Sequence, residues 1–259
     1  MSGTVIIIPA RLASRRFPRK MLAPLAGMSL IRRSFLAASA ARGVDEVFVA
    51  TDSEEIARDV EGIGARVVMT DETPRNGTER VAQALERMEL RPDLVVNFQG
   101  DAPLTPPWFV EELIAAAVKH PEADMLTPVL RCSPRALESL LADRREGRVG
   151  ATTAVFDRSG RALYFSKEVI PHGATPRDEP VEVFHHVGLY AYRPQALRRY
   201  MALPQGRLER LEGLEQLRFL ENGLHIQAVE VDARGRTFWE VNNPQDIPLV
   251  EAALAEQGA

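Results

Sequence analysis

The chain has 259 residues, 45% of them hydrophobic, and 32 Lys and Arg against 36 Asp and Glu give a formal net charge of -4. That length supports a sizeable core in one α/β domain, and the acid excess excludes a general nucleic-acid binder, which carries a basic surplus across a whole face. The lone Cys132 excludes an internal disulfide and a structural zinc cluster and fits a reducing compartment.

In chain order, MSGTVIIIPAR opens with a short apolar run and no basic leader or cleavage pattern, so neither a signal peptide nor a membrane span is expected. VIII at 5–8, EVFVAT at 46–51, RVVMT at 66–70 and DLVVNFQ at 93–99 read as strands. Between and after them, 29–42, 53–63, 77–89 and 107–119 place apolar residues at three- and four-residue spacing and read as helices. The resulting βαβαβαβα alternation predicts a mostly parallel sheet with helices on both faces, whose ligand sits beyond the carboxyl ends of the strands. In the second half ATTAVFD, ALYFS and VFHHVGLYAYR read as strands and PQALRRYMAL and LERLEGLEQLRFLENG as helices. HIQAVEV then reads as a strand and PQDIPLVEAAL as a last helix. HGATPRDEP, 172–180, reads as an exposed connection.

The stretch IIIPARLASRRFPRK passes from a buried strand into Arg11, Arg15, Arg16, Arg19 and Lys20. Main-chain N–H groups with flexible cations above them make a cradle for polyphosphate, although a short basic cluster reads equally as a solvated loop. The spacing of a Walker A loop is absent.

IIIPARLASRRFPRKML resembles the opening signature of the sugar-activating cytidylyltransferases, and most of all the CMP-Kdo synthetases, where Kdo is 3-deoxy-manno-octulosonate. NGTERVAQAL, VVNFQGDAPL, ALYFSKEVIP, HVGLYAYR and LEGLEQLRFLENG follow in the family's order, so the resemblance covers almost the whole chain. It implies a Rossmann-like nucleotidyltransferase fold over 1–259 as one domain, with 1–130 mainly nucleotide-binding and 131–259 mainly sugar-binding and dimerising. The implied reaction joins CTP to a 3-deoxy-octulosonate and releases pyrophosphate, with magnesium, in a cytoplasmic homodimer, for lipopolysaccharide or capsule.

By the same resemblance Ala10, Arg11, Ser14, Arg16 and Lys20 form the nucleotide loop, whose cations meet transition-state charge. Gly77, Thr78, Glu79 and Arg80 match a helix amino terminus lining the nucleotide pocket, with Gln99 beside them. Asp101 matches the magnesium ligand. His186, Glu215 and Gln216 match sugar contacts, and Lys167 stands where the family commonly carries an Arg near the sugar carboxylate. Of the pair His185 and His186, alternation along a strand lets at most one face the pocket.

The chain also departs from the family pattern. VDTPED becomes VNNPQD, so Asn242 replaces a metal-ligand Asp and binds an ion through a neutral amide oxygen; Asp246 is the next candidate. Ala102 replaces a Glu, and Arg19 replaces a Gly. Two classes therefore stand: an active cytidylyltransferase for Kdo or another acid sugar (amino-Kdo, sialic acid), or a nucleotide-binding homologue acting as a regulator. No residue reads as an activated nucleophile, so direct attack of the sugar hydroxyl on the α-phosphorus is the expected chemistry.

Overall fold

The computed structural model describes residues 3–14, 16–88, 90–149, 151–177 and 179–257; Arg15, part of the basic stretch, lies outside them. The elements before residue 120 are β1 (Thr4–Ala10), β2 (Pro24–Leu25), β3 (Met28–Ser29), α1 (Leu30–Ser39), β4 (Glu46–Thr51), α2 (Glu54–Glu61), β5 (Arg66–Met69), α3 (Gly77–Arg87), β6 (Leu94–Phe98) and α4 (Pro107–Lys119). There follow β7 (Met125–Arg131), α5 (Pro134–Arg145), β8 (Thr153–Phe156), β9 (Ala162–Ser166), β10 (Phe184–His186), β11 (Leu189–Tyr192), α6 (Pro194–Ala202), α7 (Arg207–Glu212), α8 (Leu217–Glu221), β12 (Ile226–Glu230) and α9 (Asp246–Glu256).

Among the described residues one ten-stranded sheet runs in the order β5-β4-β1-β6-β11-β7-β10-β8-β9, with β12 on the other edge of β7. β5, β4, β1 and β6 are mutually parallel, as the alternation predicts. From β11 onward the pairing is largely antiparallel, only β12 lying parallel to β7, so the sheet is mixed. β11 is inserted between β6 and β7, so strands from the two halves of the sequence interleave.

Alternation along β1 divides the core. Val5 and Ile7 pack with Val81 and Leu85 of α3 and with Leu197, Tyr200 and Phe219, whereas Ile6 and Ile8 pack with Ile31, Ile56, Phe109 and Leu113 of α1, α2 and α4. Strands buried on both faces lose the polar alternation of a half-exposed sheet, which explains the unbroken VIII. α3 starts where Asn76 Oδ1 accepts the Glu79 N–H at 2.8 Å, an N-cap that aims the helix's free N–H groups at the strand ends.

Four departures from the expected elements have local causes. β7 has no counterpart among the expected strands because Pro128 lies at its middle, and a missing N–H argues against a central strand. The ladder tolerates it because β11 pairs with 125–126 and β10 with 129–131, leaving the gap between them opposite the proline. α5 begins at Ser133, which caps it, and Pro134; its sparse apolar positions, Leu137 and Leu140, hid it. The strand expected over VFHHVGLYAYR divides at Val187–Gly188. The helix expected over LERLEGLEQLRFLENG ends at Gly213, whose φ of 64° is left-handed, and restarts at Leu217.

Candidate active site

In the parallel half the strand order places β1 between β4 and β6, so the crossovers leave in opposite directions and open a crevice beyond the ends of β1 and β6. A cleft of about 1230 Å³ occupies this crevice, walled by Pro9 to Ser14, by Gln99 to Asp101 and by the amino end of α3. Ala10, Arg11, Ser14, Arg16, Lys20, Gly77, Arg80, Gln99, Asp101 and Asn242 all line it. Thr78 and Glu79 do not: Thr78 turns inward to Tyr192 Oη at 2.7 Å, and Glu79 accepts from Arg75 and Arg218. Their side chains point away from the cleft although their helix borders it, because consecutive residues of α3 point around its circumference.

Within the cleft the cations differ in state. Arg11 is exposed and has no hydrogen-bond partner among the described residues. Arg16 Nη2 donates to Asn242 Oδ1 at 2.9 Å across a sequence separation of 226 residues. Lys20 is buried, contrary to the exposed loop the sequence suggests, with Nζ 2.5 Å from Asp101 Oδ2 and 3.0 Å from the Val241 carbonyl. Arg80 is buried against Asp52 at 2.8 Å.

Arg19 adopts φ 58°, ψ 27°, the left-handed region a glycine would fill without strain. Its pairing with Glu55 is exposed on both sides and adds little. Arg19→Gly is therefore expected to raise stability by up to about 1 kcal/mol, read from urea midpoints; a loss above that would mean the loop needs the arginine.

Glu240 was not singled out from the sequence, where it precedes a familiar motif. A Cβ built on Gly188 would lie 2.9 Å from Glu240 Oε1 and 3.6 Å from Gln99 Cγ, so the carboxylate fills the space a glycine leaves behind Gln99. The Val241 N–H donates to the Asp101 carbonyl at 2.9 Å, which ties this segment to the end of β6. Burial and then the Asp101 charge push the Glu240 carboxyl above the usual carboxylate range, while Lys20, a hydrogen bond from Asn242, and Arg16 pull it down. Asn242 thus stands between Arg16, from which its amide oxygen accepts, and Glu240. Asp246 is spent otherwise: its Oδ2 accepts the N–H groups of Asn242 and Asn243 at 2.8 and 2.6 Å, tying the turn before α9 to the helix's first residue.

A divalent ion of the kind the resemblance implies can be tested against these donors. Among the described residues no three His, Cys, Asp or Glu side chains gather as a self-sufficient metal site. Asp101, which Lys20 pairs, and Glu240 nevertheless supply acidic oxygens, with the Asn242 amide beside them. Magnesium keeps one or two protein carboxylates and takes its other oxygens from phosphates and water, so the donors fit an ion carried mainly by a triphosphate.

A second pocket of about 360 Å³ adjoins the cleft, the two sharing Arg75, Asn76 and Gly77. Glu215 and Gln216 line it, from the break between α7 and α8 and not from the helix expected there. Glu215 accepts the Thr78 N–H at 3.1 Å, and burial pushes its carboxyl up to about 6. Gln216 Nε2 is buried without a partner among the described residues. His186 does not line the pocket. It packs edge-on to Phe165 with Nε2 2.9 Å from Thr127 Oγ1, and burial lowers it to about 3, so it is neutral behind Tyr190, a lining residue. Lys167 is also absent from the lining, its Nζ lying 2.9 Å from where a Gly213 Cβ would stand. Cys132 sits in a separate apolar cluster with Leu137 and Val183, its thiol pushed up to about 11 by burial, and is no nucleophile at neutral pH.

A polyphosphate-sized cationic cleft at the switch point of a doubly wound sheet, opening into an acid-lined pocket, defines a nucleotidyltransferase. The cytidylyltransferase family model matches residues 5–226. The chain is 43% identical over 256 residues to the 3-deoxy-manno-octulosonate cytidylyltransferase of Maricaulis maris, covering 99% of this chain and 98% of the relative. It is 41% identical over 255 residues to the 8-amino-3,8-dideoxy-manno-octulosonate cytidylyltransferase of Shewanella halifaxensis, covering 98% and 99%. A solved structure of CMP:2-keto-3-deoxy-manno-octonic acid synthetase complexed with CTP superposes with a TM-score of 0.85 at 32% identity, covering 99% of this chain and all of that one. The chain belongs to the cytidylyltransferase family and, within it, to the CMP-Kdo synthetases. It is an enzyme, with the nucleotidyltransferase activity of that group.

Proposed function

We propose that the chain transfers the cytidylyl group of CTP to the anomeric hydroxyl of a 3-deoxy-octulosonate, and that the 8-amino sugar is its preferred acceptor. The Shewanella relative is named for that amino sugar. The observation that carries the choice is Glu215, a pocket-lining carboxylate that has no cationic partner among the described residues. An ammonium group at the far end of the sugar forms a charge-assisted pair with it, whereas the hydroxyl of Kdo offers it one neutral hydrogen bond. Kdo itself is the second reading, favoured by the name of the Maricaulis relative.

In the reaction the chain's own groups position and neutralise. Arg11, Arg16 and Lys20 meet the triphosphate oxygens, and the amino end of α3 adds oriented N–H groups. Asp101, with Glu240 and Asn242, would hold magnesium, which bound with the triphosphate withdraws charge from its oxygens. The attacking oxygen comes from the sugar, so no covalent protein intermediate forms; a buried, neutral Cys132 agrees with that. Magnesium, a homodimer formed through 131–259, cytoplasmic action and a product bound for lipopolysaccharide or capsule belong to this reading on the strength of the family. Among the described residues no helix is long and apolar enough to cross a membrane.

Pyrophosphate release with CTP and each sugar tests the choice, the expected result being a larger kcat/KM for the amino sugar. The pH profile sharpens it. Glu215 titrates near 6, so the amino sugar's KM should fall about tenfold as pH rises through that value, while the KM of Kdo should not fall. Stability should run the other way. The folded-state value lies above the ordinary 4.5, so Glu215's contribution is fullest below 4.5 and is lost as pH rises through about 6. Glu215→Gln should flatten both curves. An unchanged amino-sugar KM across this window would remove Glu215 from substrate recognition and return Kdo to first place.

A further inference from the structure

The lining of the second pocket contains one cation among the described residues, Arg75, and Arg75 also lines the nucleotide cleft. It directly precedes Asn76, the cap of α3, so its backbone is fixed at the seam between the two cavities. Its guanidinium is held on one edge: Nε lies 2.9 and 3.1 Å from the two oxygens of Glu79, and Nη2 lies 2.5 Å from Oε1. The Arg75 N–H donates to the same carboxylate at 2.8 Å. Glu79 is held from behind by the buried Arg218, at 3.2 Å. Arg75 is still 58% exposed, and its Nη1 has no partner among the described residues. A fork whose inner edge is pinned while its outer edge faces solvent is pre-organised to receive a planar anion.

The chemistry of the acceptor says which anion. In a 3-deoxy-2-octulosonate the carboxylate is attached to the same carbon that bears the anomeric hydroxyl. The hydroxyl must approach the α-phosphorus, so the carboxylate has to lie where the nucleotide cleft meets the sugar pocket. We infer that Arg75 binds the sugar carboxylate through its outer Nη edge and so sets the acceptor's orientation for attack. This rests on the acid-sugar reading above. It takes over the role the family resemblance gives Lys167, whose ammonium lies against Gly213 and outside the lining.

The test separates charge recognition from general support. Steady-state kinetics of Arg75→Met and Arg75→Lys would be measured with CTP against the sugar acid and against its C1 carboxamide. Affinities for CMP and for the CMP-sugar product would be measured alongside. Loss of a charge-assisted bidentate contact should raise the sugar KM of Arg75→Met about 10- to 100-fold, with the CTP KM within about twofold. The wild-type preference for acid over amide should collapse in Arg75→Met and survive in part in Arg75→Lys, and the product but not CMP should bind more weakly. A merely structural role would move CTP binding and the melting temperature and leave the acid-to-amide ratio intact. That result, or an unchanged sugar KM, overturns the assignment. Wild-type enzyme that transfers to no 3-deoxy-octulosonate overturns it together with the acid-sugar reading, whereas transfer with an unaltered variant overturns it alone.

Discussion

Lys20→Ala and Asp101→Asn are each expected to lower kcat by about 10²- to 10³-fold, because in the proposed reaction each removes a charge that meets the triphosphate or its ion. The two residues form one unit, 2.5 Å apart, with the Lys20 side chain 9% and the Asp101 side chain 22% exposed. Removing the ammonium leaves Asp101 and the nearby Glu240 without their closest cation, so Lys20→Ala should also lower unfolding free energy by about 2–3 kcal/mol. Arg16→Ala is the control for location. Its guanidinium is exposed and loses one bond to Asn242, so stability should change by less than about 0.5 kcal/mol while turnover falls. Turnover with CTP and the amino sugar, read beside urea midpoints, checks both halves. Wild-type turnover in Lys20→Ala would mean that the lysine is only the structural partner of Asp101.

The sequence made the cleft legible because its cations and Asp101 are carried at the ends of strongly apolar strands, where periodicity and chain order alone define an edge. What it concealed was pairing. Nothing in FPRK shows that Lys20 folds back under the loop onto residues 101 and 241, a closure across more than 200 residues. Asn242 stands where the family pattern has a carboxylate, and its amide oxygen accepts from Arg16 beside Glu240, two residues earlier. The sugar side was harder still. Glu215 and Gln216 are at pocket-facing positions because Gly213 breaks the helix, and a periodic apolar pattern reads straight through such a break. Histidine 186 carried a family role but packs on Thr127, while Arg75, in the unassuming stretch TPRN, reaches both cavities. Charge at a strand end is a local signal; the partner that decides its use is a tertiary one.

The largest effect on stability is expected from Arg218→Met. Arg218 is 1% exposed, donates through Nε and Nη2 to Glu209 at 2.7 and 2.6 Å, reaches Glu79 at 3.2 Å and lies 4.0 Å over the Tyr200 ring. Methionine keeps much of the packing but leaves the Glu209 carboxylate buried without its cation, which costs about 3–5 kcal/mol. Burial alone would raise Glu79, but the hydrogen bonds and charge of Arg75, with help from Arg218, outweigh it and hold the carboxyl below its ordinary range. Glu79's contribution to folding is therefore present above about pH 4.5 and is lost as pH falls through its depressed value. The gap between wild type and Arg218→Met should accordingly be widest near neutral pH and should shrink in acid, as protonated carboxyls no longer need the arginine. Because Glu79 also pins Arg75, and the α7–α8 break carries Glu215, the sugar KM of the variant should rise more than its CTP KM. Urea unfolding at several pH values, with both Michaelis constants, is the measurement. A gap that stays constant with pH would mean that the loss is one of packing over Tyr200 and not of charge.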